Sequence, residues 1–242
     1  MDREDLKSEA QEFLESLEKK LNSEMPSPVE MRRCVHQVVT DSQGDPTRPH
    51  MRQPENAFLY DYAIPIIIQH MQTVNGIGPN EAKRSLLSEF YRNMKDCCLQ
   101  TPARTRGHPF TKMVGAKPAD IVAQWTGKLG APLRQACPDF AFREPFPFRI
   151  VFEGKYFETG SAGRAKTELV ICTYQAFYYR ALPYVPPRKS SPAWNYDFAC
   201  LLVCDASKDG SLKAVWNSLK SEVRRGFWDG ANVYVMILRG TD

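Results

Sequence analysis

Phe148-Arg149-Ile150-Val151-Phe152-Glu153-Gly154-Lys155-Tyr156-Phe157 is the stretch on which the fold turns. Its apolar run of aromatic and β-branched residues predicts a strand over 148–157. On a strand, residues i and i+2 project from the same face, so Glu153 and Lys155 point together. Upstream, Asp139 to Phe142 reads as a second strand, with Arg143-Glu144-Pro145 as the turn between the two. Asp139 follows Pro138 at the head of that segment and can reach the same point across a hairpin. Two hard oxygen ligands and an amine gathered there favour a Mg²⁺ ion, which holds a phosphate and lowers the pKa of a bound water. The lysine can position or deprotonate that water. These are the parts needed to hydrolyse a phosphodiester.

Downstream of this stretch the pattern alternates. Gly160-Ser161 leads into a helix over 162–181, with Leu169, Cys172, Ala176 and Tyr179 on one face. A proline-rich loop from Pro183 to Ser191 carries Arg188-Lys189. Phe198 to Cys204 is a nearly continuous apolar run, as a buried central strand requires. Leu212 to Val223 reads as a helix and Val233 to Leu238 as a last strand. The order β-β-α-β-α-β predicts an α/β fold with a mixed sheet.

Upstream the chain reads as helical. Leu6, Ala10, Phe13, Leu14, Leu17 and Leu21 recur at helical spacing, which predicts an amphipathic helix over 3–24 stopped by Pro26-Ser27-Pro28. A second helix begins at Val29 and closes at the polar loop from Asp41 to Pro54. Residues 55–73 form a third apolar segment, read as a helix kinked at Pro65. Gly76-Ile77-Gly78-Pro79-Asn80 breaks it, and a further helix follows from Pro79 to Leu99. The basic loop Thr101 to Pro109, with Arg104 and Arg106, divides a helical region (1–100) from the sheet-bearing core (101–242), and a short helix over Ala119–Leu129 opens that core.

With 242 residues and 43% hydrophobic content, the chain can bury a core without disulfides. Its seven cysteines (Cys34, Cys97, Cys98, Cys137, Cys172, Cys200 and Cys204) form no CxxC pair and read as reduced thiols, and Cys200 and Cys204 share strand parity toward one core. The four histidines have no zinc-ligand spacing with them. The acidic N-terminus does not read as a signal peptide, and the apolar stretch Ala63–Ile68 is too short to span a bilayer. A cytoplasmic protein without a membrane role is the expectation. The net charge of +4 is uneven: residues 1–100 hold 12 basic and 16 acidic side chains, and residues 101–242 hold 20 and 12. The basic half is the half with the candidate site, where positive charge would steer a polyanion.

Three other triplets share the acid-x-lysine spacing: Asp5-Leu6-Lys7, Glu18-Lys19-Lys20 and Glu81-Ala82-Lys83. All fall on apparent helices, where i and i+2 diverge, and read as solvated faces. Only the Glu153 triplet ends a strand, follows a Pro-Asp dipeptide, and precedes a helix and a buried strand. In these respects residues 118–206 resemble the PD-(D/E)xK phosphodiesterase superfamily, which includes many restriction endonucleases.

That resemblance implies a restriction-endonuclease-like mixed central sheet flanked by helices, here preceded by an all-helical N-terminal region. It implies Mg²⁺ bound by Asp139, Glu153 and the carbonyl of Gly154, with Lys155 assisting the attacking water. Gln175 and Tyr179 fit a QxxxY pattern of some branches, which puts the glutamine near the metal and the tyrosine near the DNA backbone. Glu89 is a candidate for the carboxylate that an upstream helix supplies in some members, and Glu158 and Glu168 are weaker acid candidates. Arg164 and Lys166 open the helix after the triad, where backbone N–H groups and positive charge can meet a phosphate. Arg104, Arg106, Arg188 and Lys189 are loop candidates for DNA contact.

The expected function is therefore Mg²⁺-dependent hydrolysis of double-stranded DNA by a type II restriction-like endonuclease, working as a homodimer. Two alternatives stand beside it: a non-catalytic nucleic-acid-binding or assembly protein on a nuclease-like fold, and an enzyme that works within a larger defence or repair complex. For the triad the rival reading is a surface ion cluster beside a strand end. For Asp139 alone it is a turn-initiating Pro-Asp, and for Tyr179 an ordinary core position.

Overall fold

Hydrophobic alternation along β2 (Ile150–Phe157) sorts its side chains onto two faces, and two layers of helices cover them. The computed structural model describes residues 2–45, 49–76, 139–142, 146–158, 162–181 and 196–241. Among these, β1 (Phe140–Phe142), β2, β3 (Phe198–Asp205) and β4 (Val233–Leu238) form one sheet in the order β1-β2-β3-β4. β1 pairs antiparallel with β2, in the register Phe140 to Phe152 and Phe142 to Ile150. β3 runs parallel to both β2 and β4. The sheet is therefore mixed, as expected, and β3, whose residues are all buried, lies in its interior beside β2.

The first face carries Phe140, Phe152, Cys200, Leu202, Met236 and Leu238, packed against the N-terminal helices. These are α1 (Arg3–Glu24), α2 (Pro28–Ser42), α3 (Pro54–Phe58) and α4 (Ile64–Asn75). The buried stripe of α1 is Ala10, Phe13, Leu14, Leu17 and Leu21, and α1 lies against β4 while α3 lies against β2. α2 starts where Ser27 Oγ accepts the Glu30 N–H at 3.4 Å, with Pro28 in the first turn. One core thus joins residues from both sides of the expected 100/101 boundary, which itself lies outside the described residues. Cys200 and Cys204 share this core, as their parity predicts.

The second face carries Ala141, Val151, Ala199, Leu201, Val203 and Val235, packed against α5 (Ala162–Ala181) through Ala165, Leu169, Cys172 and Ala176. α6 (Ser211–Ser218) and α7 (Ser221–Ala231) complete this side toward β4.

Three differences from the sequence reading have physical causes. The kink expected at Pro65 is a π-helical turn over Leu59–Ala63, between α3 and α4. Pro65 has no N–H for the carbonyl four residues back, and the wider turn accommodates its ring. The helix read over 212–223 is two helices, broken at Leu219 and Lys220, whose backbones are extended. Gly226 and Gly230 lower the helical signal of α7, which its packing through Trp228 and Ala231 overrides. The loop from Asp41 to Pro54 contains a 3₁₀ turn, Pro49–Arg52. The helices read over 79–99 and 119–129 and the loops 101–109 and 183–191 lie outside the described residues.

Candidate active site

The site forms where β1 and β2 part. Their ladder ends at the Phe140–Phe152 pair, whose rings stack at 4.6 Å on the first face. One step beyond, Asp139 and Glu153 fall opposite each other on the second face, the side covered by α5. Asp139 turns its carboxylate inward, and its Oδ2 accepts the Gly154 N–H at 2.6 Å. The edge N–H that β1 leaves unpaired is thereby satisfied by a side chain. The N–H and C=O of one strand residue leave on the same edge, so the Gly154 carbonyl also faces the Asp139 side.

Glu153 is 3% exposed, while Asp139, Lys155 and Glu55 are half-buried around it. Lys155 Nζ donates to Glu153 Oε1 at 2.5 Å. It also lies 3.3 and 3.2 Å from the two carboxylate oxygens of Glu55. Glu55 sits in the first turn of α3, just after Pro54. It was missed in the sequence because it lies 100 positions from Lys155 and reads as an ordinary acid at a helix start. Glu89, an upstream-helix acid named in the sequence reading as a further candidate, lies outside the described residues.

Gly154 has a packing reason to be glycine. A Cβ there would stand 2.6 Å from Leu59 Cδ1 and 2.8 Å from its Cγ, and closer still to Cδ2. Leu59 is fully buried against the first face, so this glycine lets the α3–α4 helix approach the strand and brings Glu55 to the rim of the site.

Burial pushes all three carboxyls up, because the charged forms lose hydration. The Glu55 carboxyl rises to about 7, with Lys155 opposing the rise and Asp139 adding to it. The Asp139 carboxyl is raised by burial and held back by Lys155 and the Gly154 N–H. Glu153 goes well above the usual carboxylate range, driven by burial against the pull of Lys155, with Asp139 and Glu55 adding to the rise. Burial alone would lower the Lys155 ammonium, yet Glu153, Glu55 and Asp139 together hold it well above its ordinary value.

On α5, Gln175 and Tyr179 are one turn apart, and the Gln175 amide donates to the Tyr179 hydroxyl at 3.1 Å. That bond answers the need of a half-buried amide for a partner. The Tyr179 phenol is pushed well up by burial and then by Glu153, which puts it within electrostatic reach of the carboxylates. Its ring also packs against the second core. A cleft of about 510 Å³ opens beside Lys155 and Glu55, walled by Arg164, Glu168, Leu169 and Cys172 of α5. Arg164 stands at this cleft, 3.9 Å from Glu168, while Lys166 is exposed on the next residue but one. Glu158 lines the cleft too, but its Oε2 is engaged by His36 Nε2 at 2.8 Å. Arg104, Arg106, Arg188 and Lys189 lie outside the described residues, as does Pro138.

The structure thus brings together Asp139, Glu153, Gly154 and Lys155, adds Glu55, and sets Gln175, Tyr179 and Arg164 around them. Among the described residues, no three His, Cys, Asp or Glu side chains stand close enough together to hold a metal ion as arranged here. The donor chemistry nevertheless fits a hard divalent cation. The buried Glu153 and the half-buried Asp139 and Glu55 stand beside one lysine, leaving an excess of negative charge that desolvation penalises and a divalent cation would relieve.

No protein-family model matches the chain, and neither the curated proteins nor the solved structures contain a match. Among the described residues, no helix is long and apolar enough to cross a membrane.

Proposed function

We propose that the chain is a Mg²⁺-dependent nuclease that hydrolyses phosphodiester bonds in double-stranded DNA, in the manner of a restriction endonuclease. One observation carries the reading: Glu153 and Glu55 both contact a single lysine, and Asp139 stands beside them on the Gly154 N–H. A structural ion pair needs one acid. Glu55 shares Lys155 with Glu153 and Asp139 holds the Gly154 N–H, yet gathering three acids beside one base also brings desolvation and mutual repulsion, which raise every carboxyl in the cluster. A surplus of acids over bases at one point is what a metal-dependent hydrolase uses to hold its ion.

Asp139, Glu153 and the Gly154 carbonyl would hold the ion, with Glu55 on the opposite side of Lys155. When bound, Mg²⁺ supplies positive charge to the scissile phosphate and a more acidic water. The chain's own residues do the rest. Lys155, released from Glu55 or Glu153, orients the attacking water and carries positive charge toward the phosphate. The Gly154 N–H fixes the Asp139 carboxylate, so that Asp139 need not reorganise during the reaction. Gln175 and Tyr179 limit solvent on the α5 side, and Arg164 meets the neighbouring phosphate. A homodimer in the cytoplasm, with paired sites cutting both strands, completes the proposal.

The test is plasmid DNA incubated with Mg²⁺, with EDTA as control. Asp139→Ala, Glu153→Ala and Lys155→Ala should each abolish cleavage while DNA binding survives. Full cleavage by all three variants would sink the reading. Binding by the wild type without cleavage would favour the non-catalytic alternative, to which the pairing of Lys155 with two carboxylates lends support.

A further inference from the structure

A second cleft, of about 470 Å³, lies at the opposite edge of the sheet, where α6 and α7 meet β4. Its wall is made by Trp216 at the end of α6 and by Arg224 and Arg225 in the second turn of α7. The half-buried indole of Trp216 stacks on Phe227, with ring centroids 5.9 Å apart and planes inclined by 29°. Arg224 Nε is buried with no hydrogen-bond partner, and neither arginine forms an ion pair among the described residues. α7 has no side-chain cap: Lys220 occupies that position, and only the N–H groups of Val223 and Arg224 find its carbonyl.

The acids of this cleft do not neutralise the arginines. Glu18 accepts the Tyr234 hydroxyl at 2.9 Å and pairs with neither arginine. Asp229, also in its lining, pairs with neither arginine. The remaining base is engaged elsewhere: Lys213 Nζ donates to the Ile237 carbonyl at 2.5 Å and so covers the far end of the β4 edge. What the cleft presents is an unpaired guanidinium pair, an uncapped helix start and a fixed aromatic face.

We infer that this cleft binds a segment of single-stranded nucleic acid, with a phosphate on Arg224 and Arg225 and the adjoining base against Trp216. The guanidinium fork matches a phosphate's oxygens two at a time, and a lysine would not. An indole fixed by a neighbouring ring offers a base a stacking face without a further ordering cost. An acidic peptide would satisfy the arginines but would leave the indole unused. The inference is independent of the carboxylate cluster, which lies two strands away across the sheet.

Fluorescence anisotropy with a labelled single-stranded oligonucleotide, in EDTA so that no cleavage intervenes, tests it. The full chain should bind, and Trp216→Leu should weaken binding about tenfold. Arg224→Ala with Arg225→Ala should weaken it at least as much and lower the slope of log affinity against log salt by about one to two. Circular dichroism checks the fold of each variant. If the alanine pair fails to fold, Arg224→Lys with Arg225→Lys keeps the charge and should still lose several-fold in affinity. The inference is overturned if the wild type shows no binding up to about 100 µM protein. It is equally overturned if the folded variants bind like the wild type, or if poly-glutamate competes as well as the unlabelled oligonucleotide does.

Discussion

Replacing Gly154 with alanine tests the central packing claim, that this glycine lets the N-terminal helices close on the strand bearing Glu153 and Lys155. The new Cβ would stand 2.6 and 2.8 Å from Leu59 Cδ1 and Cγ, and closer still to Cδ2. Ordinary carbon contacts lie near about 3.5–4.0 Å, so the leucine must retreat by about an ångström. Leu59 is 0% exposed and has no solvent side to move into, so the strain falls on the core or on the strand. Overpacking of this kind costs about 1–3 kcal/mol, offset by about 0.5–1 kcal/mol because alanine suits a strand interior better than glycine. A net loss of about 1–2 kcal/mol is expected. Leu59→Ala alone should cost about 2–5 kcal/mol through the cavity it leaves. In the double variant the methyl added at position 154 occupies part of that cavity without a clash. The combined loss should therefore fall short of the sum by about 1–2 kcal/mol. Urea denaturation of the four proteins, with slopes compared to confirm two-state unfolding, gives the cycle. Additive losses within about 0.5 kcal/mol, or a Gly154→Ala variant as stable as the wild type, would refute the reasoning.

Three further outcomes follow from the same geometry. Lys155→Met leaves the buried Glu153 carboxylate without its partner and should cost about 3–5 kcal/mol at pH 8; the deficit should shrink on acidification as the carboxyls protonate, and an equal deficit at pH 5 and pH 8 would contradict it. The Glu55 carboxyl rises from its ordinary value of 4.5 to about 7, so the folded state holds more protons than the unfolded state across that interval. The stability this group contributes is present below pH 4.5 and is lost as pH rises through 7. Glu55→Gln should therefore flatten the fall between pH 5 and pH 8 in denaturant titrations. His70 is buried against Phe13 with its Nε2 unpartnered, and burial, then Lys20, lowers its pKa. Its contribution is present above pH 6.5 and lost as pH falls through its lowered value, so in thermal melts His70→Phe should lose less stability than the wild type between pH 7 and pH 5.

The sequence by itself determined much of the fold because its strands differ so plainly in pattern. The apolar run Phe198–Cys204 could only be interior, and the alternation after Phe148 put Glu153 and Lys155 on one face. The hairpin brought Asp139 to them, since strand parity is a local rule that needs no knowledge of the rest of the chain. Gln175 and Tyr179 were paired only through the QxxxY resemblance, and the helical turn between them brings their polar atoms together. α7 was read only in part, because its glycines weaken a helical signal that packing restores.

Tertiary structure alone decided the depth and membership of the site. Nothing near Glu55 in sequence marks it as a partner of Lys155, because their contact depends on the angle at which α3 meets β2. That angle rests on the space Gly154 leaves for Leu59. Burial, too, is a property of the layers that close over a strand. The sequence placed the carboxylates side by side, but only the packing of α3 and α5 around them took Glu153 out of water and raised its carboxyl. Local periodicity fixes which way a side chain points; what it meets there is settled by elements the local pattern cannot see.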